Sequence, residues 1–243
     1  LICLAGVAGC VHFDPPRPPT LTVAGSSLGE SKLKSRQVAD VQVALGRSLE
    51  RQGETARAIA AYNEALRADP GRADAGLRLA MLYDKEGKFK EALPLYQKAL
   101  AAYPGDPDIF CDMGYSLYLQ GRLVEAEINL RQALALAPDK ARAHNNLGLV
   151  LGCSDRSEEA LTEFRRAGCS EADAQINLAF ALTLENKWAE ARKRYQMALA
   201  ADASSAAARK GLQELETALA KVDRLRHVRA ARESTDPVTV SAR

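Results

Sequence analysis

The sequence predicts an all-α chain, an α-solenoid of about five helix-turn-helix repeats closed by a C-terminal capping helix. Three observations predict it. Hydrophobic residues make up 47% of the chain but aromatics only 5%, which favours helices packed through small side chains over sheets rich in aromatic and β-branched residues. The segments 39–72, 73–106 and 107–140 have equal length and carry the same residue kinds at the same offsets, the mark of a repeat array. Glycine and proline fall at fixed places inside each segment, where helices stop. Charge is nearly balanced, with 33 Lys and Arg against 31 Asp and Glu. That leaves no basic footprint for nucleic acid, which is not an expected partner.

The chain opens on LICLAGVAGCV, an uncharged apolar run too short to span a bilayer and sized to the hydrophobic part of an export signal. Residues 1–10 are therefore set apart from the fold as a signal segment. It begins with neither methionine nor a basic residue, so the signal is expected to extend upstream of Leu1. Val7-Ala8-Gly9-Cys10 resembles the bacterial lipoprotein box, in which small residues precede a cysteine that is lipid-modified. The resemblance implies lipidation of Cys10 and attachment to a membrane surface. With Val11 rather than aspartate next, it implies an outer-membrane lipoprotein facing the periplasm. An apolar terminus of a cytoplasmic protein, or the end of a longer uncleaved anchor, stays open.

Residues 11–38 read as a linker, with Pro15, Pro16, Pro18 and Pro19 followed by Gly and Ser. The proline half should be stiff, at about 3 Å per residue, and the Gly/Ser half flexible. Such a linker suits a stalk, or an ordinary disordered terminus.

Residues 39–205 hold the repeats: 39–72, 73–106, 107–140, 141–171 and 172–205. Offset 8 is small (Gly46, Ala80, Gly114), so two helices can cross with backbones close. Offset 15 is glycine (Gly53, Gly87, Gly121), which takes the left-handed conformation of a helix end. Offset 24 is large (Tyr62, Tyr96, Leu130) between small offsets 20 and 27, and offset 32 is proline (Pro70, Pro104, Pro138). The fourth unit has Asp155 at the helix-end position and lacks three residues and the proline, so its second helix or the following turn must be short. The fifth has Asn186 there and again lacks proline. Residues 206–232, with Leu212, Leu215, Leu219, Val222 and Leu225 three or four apart, read as a helix that caps the last repeat. Residues 233–243 show no period and are expected to be disordered.

These offsets resemble the tetratricopeptide-repeat family, matched at eight positions in three consecutive units. The resemblance implies that the first helix of each pair lines a concave groove for a peptide or protein, with offsets 2, 5, 6, 9, 12 and 13 facing the ligand. The first two repeats present mixed charges there, among them Asp40, Arg47, Glu50, Asp74, Arg78 and Asp84. The next three combine apolar bodies with amides: Tyr115, Tyr118, Asn145, Asn146, Leu149, Asn177 and Phe180 are the candidate binding residues. Asn146 and Asn177 occupy offset 6 of adjacent repeats, like two rungs of the asparagine ladder in O-linked N-acetylglucosamine transferase. An amide there can donate to and accept from a peptide backbone, or bond a neighbouring helix instead. Tyr115 and Phe180 face the same alternative of burial in a tight superhelix. The carboxylate clamp of chaperone-binding relatives is disfavoured, since Asp108 and Asp112 stand where its basic residues belong.

No catalytic chemistry is legible. His12, His144 and His227 have no metal-ligand partners at usable spacing, and no phosphate loop, nucleophile elbow or Cys/His pairing occurs. His144 sits at a packing offset. Beyond Cys3 and Cys10, three cysteines remain: Cys111, Cys153 and Cys169. Buried free thiols are expected, with a Cys153–Cys169 pairing left open. The cap helix carries Lys221, Arg224, Arg226, Arg229 and Arg232, a solvated face or a contact for anionic lipid. The functional expectation is a non-catalytic, cofactor-free scaffold, anchored in the envelope and assisting assembly of a pilus or secretion complex. A soluble cytoplasmic adaptor and a regulatory subunit of an enzyme complex are the alternatives, and oligomeric state is not readable.

Overall fold

The computed structural model describes residues 35–235, with side chains through Leu225 and at His227. The signal segment with Cys10, most of the linker and residues 236–243 lie outside the described residues, while residues 233–235, expected to be disordered, continue the last helix. Those described fold into eleven helices: α1 (Ser35–Arg51), α2 (Thr55–Ala68), α3 (Ala73–Lys85), α4 (Phe89–Ala102), α5 (Pro107–Leu119), α6 (Leu123–Leu136), α7 (Ala141–Cys153), α8 (Ser157–Arg166), α9 (Glu171–Leu184), α10 (Trp188–Ala201) and α11 (Ala206–Thr235). Consecutive helices pack as pairs, α1 on α2 through α9 on α10, and each pair stacks on the next. The all-α solenoid is as the sequence predicts, although α1 starts four residues ahead of position 39.

Every first helix stops in the same way. The residue after its last turn takes positive φ: Gly53 (75°), Gly87 (71°), Gly121 (71°), Asp155 (63°) and Asn186 (59°). The next amide then turns back to the carbonyl at offset 11, as in Glu54 to Leu49 at 2.9 Å and Lys187 to Leu182 at 2.9 Å. This satisfies carbonyls that the helix leaves open. Asp155 and Asn186 are the side chains best able to tolerate that conformation without being glycine. The shortened fourth unit loses its missing residues from the second helix: α8 has 10 residues where α2, α4, α6 and α10 have 14.

The small-on-large crossing is equally literal. A Cβ added at Gly148 would lie 2.6 Å from the Phe164 ring, and one at Gly114 would lie 2.7 Å from Leu130 Cγ. Any larger residue would force the pair apart. Gly211 of α11 meets the Tyr195 ring just as closely, so the capping helix docks by the same device. Ala208 and Leu215 are buried in that contact, while Leu225 further on is exposed.

The core divides. One continuous cluster runs from Cys111 in α5 to Leu215 in α11. The first repeats have a separate cluster around Tyr62, Val43 and Leu79. A third centres on Ala80, Ala92 and Tyr96, with half-buried Leu95 and Met113 packed between it and its neighbours.

Candidate peptide-binding groove

Asp40, Arg47, Glu50, Asp74 and Arg78, at groove offsets of the first two repeats, are held in ion pairs. Arg47 lies 3.2 Å from Asp74, and Arg72 bridges Asp40 and Asp74. Arg78 grips Glu50 with Nε at 2.9 Å and Nη2 at 2.6 Å. Glu50 also accepts from the Tyr62 hydroxyl, its partner twelve positions along the chain. The same spacing joins Tyr96, which donates to Asp84 at 2.8 Å, and Ser116 donates to the other carboxylate oxygen at 2.8 Å. Burial raises the pKa of Asp84 despite these two donors.

In the third repeat the tyrosine changes helix. Leu130 takes offset 24 and Tyr118 offset 12. The Tyr118 hydroxyl is buried without a hydrogen-bond partner, although the Cys153 thiol lies near it. The acids Asp108 and Asp112 that count against a carboxylate clamp are themselves paired, Asp108 with Lys140 and Arg142 at 2.8 Å and Asp112 with Arg142. Burial opposes ionisation of both. Lys140 and Arg142 nevertheless hold Asp108 below its ordinary pKa, whereas the more enclosed Asp112 is raised.

The seven candidates separate into two sets. Tyr115 is 39% exposed, and Asn145, Asn177 and Phe180 are half-buried. Tyr118, Asn146 and Leu149 are each only 8% exposed, so they offer a ligand almost no surface. The two ladder asparagines both bond neighbouring groups of the chain. Asn146 points its amide at Cys111 Sγ, 3.6 Å away, and Asn177 donates to Asn145 at 3.1 Å. The second bond ties α9 to α7 across the groove offsets.

Gly152, a residue the sequence reading did not single out, explains the burial. It stands at offset 12, where a Cβ would lie 2.8 Å from Ala181 Cβ and 3.2 Å from Leu178. Helices α7 and α9 therefore approach more closely than a side chain there would allow, and α7 is buried from Asn146 to Cys153 without a break. Leu119 and Leu184 stay exposed beside this closure, at 41% and 51%.

Reactive chemistry is not assembled here. Cys111, Cys153 and Cys169 are not joined in disulfides among the described residues. Burial pushes Cys111 and Cys153 up to about 11, so neither forms a thiolate readily. His144 is packed as its offset suggests, with Nδ1 2.6 Å from Glu163 Oε2 and Nε2 2.7 Å from Pro138 O. It borders a surface cleft of about 540 Å³ between α6 and α8, lined also by Arg131, Leu147 and Arg166 and by none of the seven candidates. Among the described residues no three His, Cys, Asp or Glu side chains converge to hold a metal ion. None of the described helices is long and apolar enough to cross a membrane.

Two models of the tetratricopeptide repeat match the sequence, at residues 43–107 and 85–148. No curated protein matches it significantly. Solved structures similar to it include the MamA protein, at 21% identity and a TM-score of 0.55 over 68% of this chain and 92% of that one. YrrB, described as a tetratricopeptide-repeat protein with an unusual peptide-binding site, is 24% identical with a TM-score of 0.53, covering 72% and 92%. PilF of Pseudomonas aeruginosa is 25% identical with a TM-score of 0.55, covering 77% and 93%.

Proposed function

We propose, from the premise that this chain is a tetratricopeptide-repeat protein, that it is a non-catalytic scaffold holding an extended segment of another protein in the groove of repeats three to five. One observation carries the reading. On successive first helices, exposed Tyr115, Leu119 and Leu184 and half-buried Phe180 alternate with the bonded amides of Asn145 and Asn177. Apolar side chains left in water beside amides make a surface for a peptide that supplies both hydrocarbon and backbone polar groups. At the groove offsets of repeats one and two, Arg47 is already paired with Asp74 and Arg78 with Glu50.

Lipidation of Cys10 would hold this groove at the outer membrane, on the periplasmic side. The reading extends to assistance in assembling an envelope machine such as a pilus or secretion complex, and the likeness to PilF supports that extension. Two measurements test it. Crosslinking in the native host should lose partners when Tyr115→Ala, Asn177→Ala and Phe180→Ala are combined in a variant whose circular dichroism is unchanged. Retention of every partner would move binding off the groove. Labelled fatty acid should enter the full-length precursor and be lost on Cys10→Ser; an unlabelled wild type would favour the soluble adaptor.

A further inference from the structure

One position repeats along the array with a different partner each time. At offset 12 of the first repeat, Glu50 accepts the Tyr62 hydroxyl and the two-pronged guanidinium of Arg78, which comes from offset 6 of the next repeat. At offset 12 of the second repeat, Asp84 accepts from Tyr96 and Ser116 and makes no ion pair among the described residues. The residue corresponding to Arg78 is now Asp112, committed to Arg142. The chain thus builds the same receiving carboxylate twice and fills it with its own guanidinium only once.

Asp84 is 9% exposed, nearly as deep as Glu163 at 8%, and has only neutral hydroxyls as donors. A buried charge with no counter-charge is an unsatisfied electrostatic demand. Beside it Tyr115, the exposed member of an aromatic pair with buried Tyr118, lies near enough for Asp84 to oppose ionisation of its phenol after burial has done so. An aromatic face next to an acid is the setting in which a cation on a long apolar stem is held best. Asp84 is one methylene shorter than Glu50, so its cation must come from a side chain of long reach.

We propose that the step between repeats two and three is a subsite for a basic side chain of the bound peptide, an arginine or lysine whose cation meets Asp84 while its stem lies along Tyr115. The proposal rests on the groove reading above and gives it chemistry: the partner carries a basic residue at the end of its segment that lies toward repeat two. The guanidinium adds to the two hydroxyl bonds without displacing them, as Arg78 does beside Tyr62 on Glu50.

A random dodecapeptide library displayed on phage and panned against the full chain tests this. Peptides retained by the wild type should be enriched in Arg and Lys over the input, and those retained by Asp84→Asn should not. Replacing the enriched arginine of a recovered peptide with citrulline, its neutral isostere, should weaken binding to the wild type at least about tenfold, the scale of a lost hydrogen bond to charge, and leave binding to Asp84→Asn unchanged. Recovery without basic enrichment, or an equal citrulline effect on both proteins, overturns the cation subsite and leaves the groove reading standing. Peptides that bind the combined Tyr115, Asn177 and Phe180 variant undiminished overturn the groove reading instead. A library from which neither protein retains any peptide overturns both.

Discussion

Repeats one and two and repeats three to five share a backbone plan and differ in what fastens it. In the first two, the crossing of each helix pair is bridged by a tyrosine and an acid twelve positions apart, and the two repeats are joined by Arg47–Asp74, Arg72–Asp74 and Arg78–Glu50. In the last three, ion pairs such as Arg142–Asp112, Arg156–Glu127 and Lys187–Asp155 also join successive repeats, but the tyrosine–acid positions hold Tyr118 with Leu130, Gly152 with Phe164 and Thr183 with Tyr195, and the hydrocarbon merges into one cluster through the cap. Polar bridges fix geometry but contribute little net stability, because water competes for the same groups. Continuous burial contributes more and couples neighbours. The N-terminal repeats are thus the adjustable part of the array, and the C-terminal ones its rigid body.

The largest test of this contrast is Phe164→Ala. It removes a fully buried ring from the continuous cluster and should lower unfolding stability by about 3–5 kcal/mol, read from urea transitions. Tyr96→Phe, which strips a hydroxyl from the smallest cluster, should cost only about 1–2 kcal/mol. If the two were equal, the continuity of the core would not be what distinguishes the halves. Amide exchange gives an independent check: α1 to α4 should open at lower free energy than α7 to α10.

Asp84→Asn should act in the opposite direction and more weakly. Because the folded pKa of Asp84 lies above its ordinary value of 3.8, the folded state binds that proton more tightly than the unfolded chain. The group's contribution is greatest below pH 3.8 and falls as pH rises through the folded value. The asparagine variant should therefore melt higher than the wild type at pH 7, with the gap closing toward pH 4; a lower Tm at pH 7 would mean the two hydroxyl bonds outweigh the burial of charge. The smallest expected effect is Asn186→Gly, which relieves a non-glycine left-handed residue and should add up to about 1 kcal/mol, seen as a higher urea midpoint.

Much of the fold was legible because local geometry demanded particular residues. A helix end that needs positive φ accepts Gly, Asn or Asp and little else, so Gly53, Asp155 and Asn186 mark their turns in sequence. The shortening of α8 follows from the missing residues. The candidate site was legible only in part. Tyr118, Asn146 and Leu149 sit at groove offsets yet are buried, because exposure there depends on how far one repeat rotates against the next. Gly152 sets that closeness, and its role depends on a contact with Ala181 and Leu178 that no spacing within one repeat reveals. That Asp84 lacks a counter-charge emerges only by comparing its partners with those of Glu50.

The exchange of tyrosine between helices in the third repeat has an evolutionary consequence. Positions 118 and 130 correspond to the pair that meets in repeats one and two, and here the bulky phenol has moved from the second helix to the first. Restoring the ancestral-looking residue at one of them alone would place two phenols, or none, where the crossing accommodates one. Among relatives, positions 118 and 130 should therefore change together, while the glycine at 114 that lets Leu130 approach stays with whichever large partner it faces.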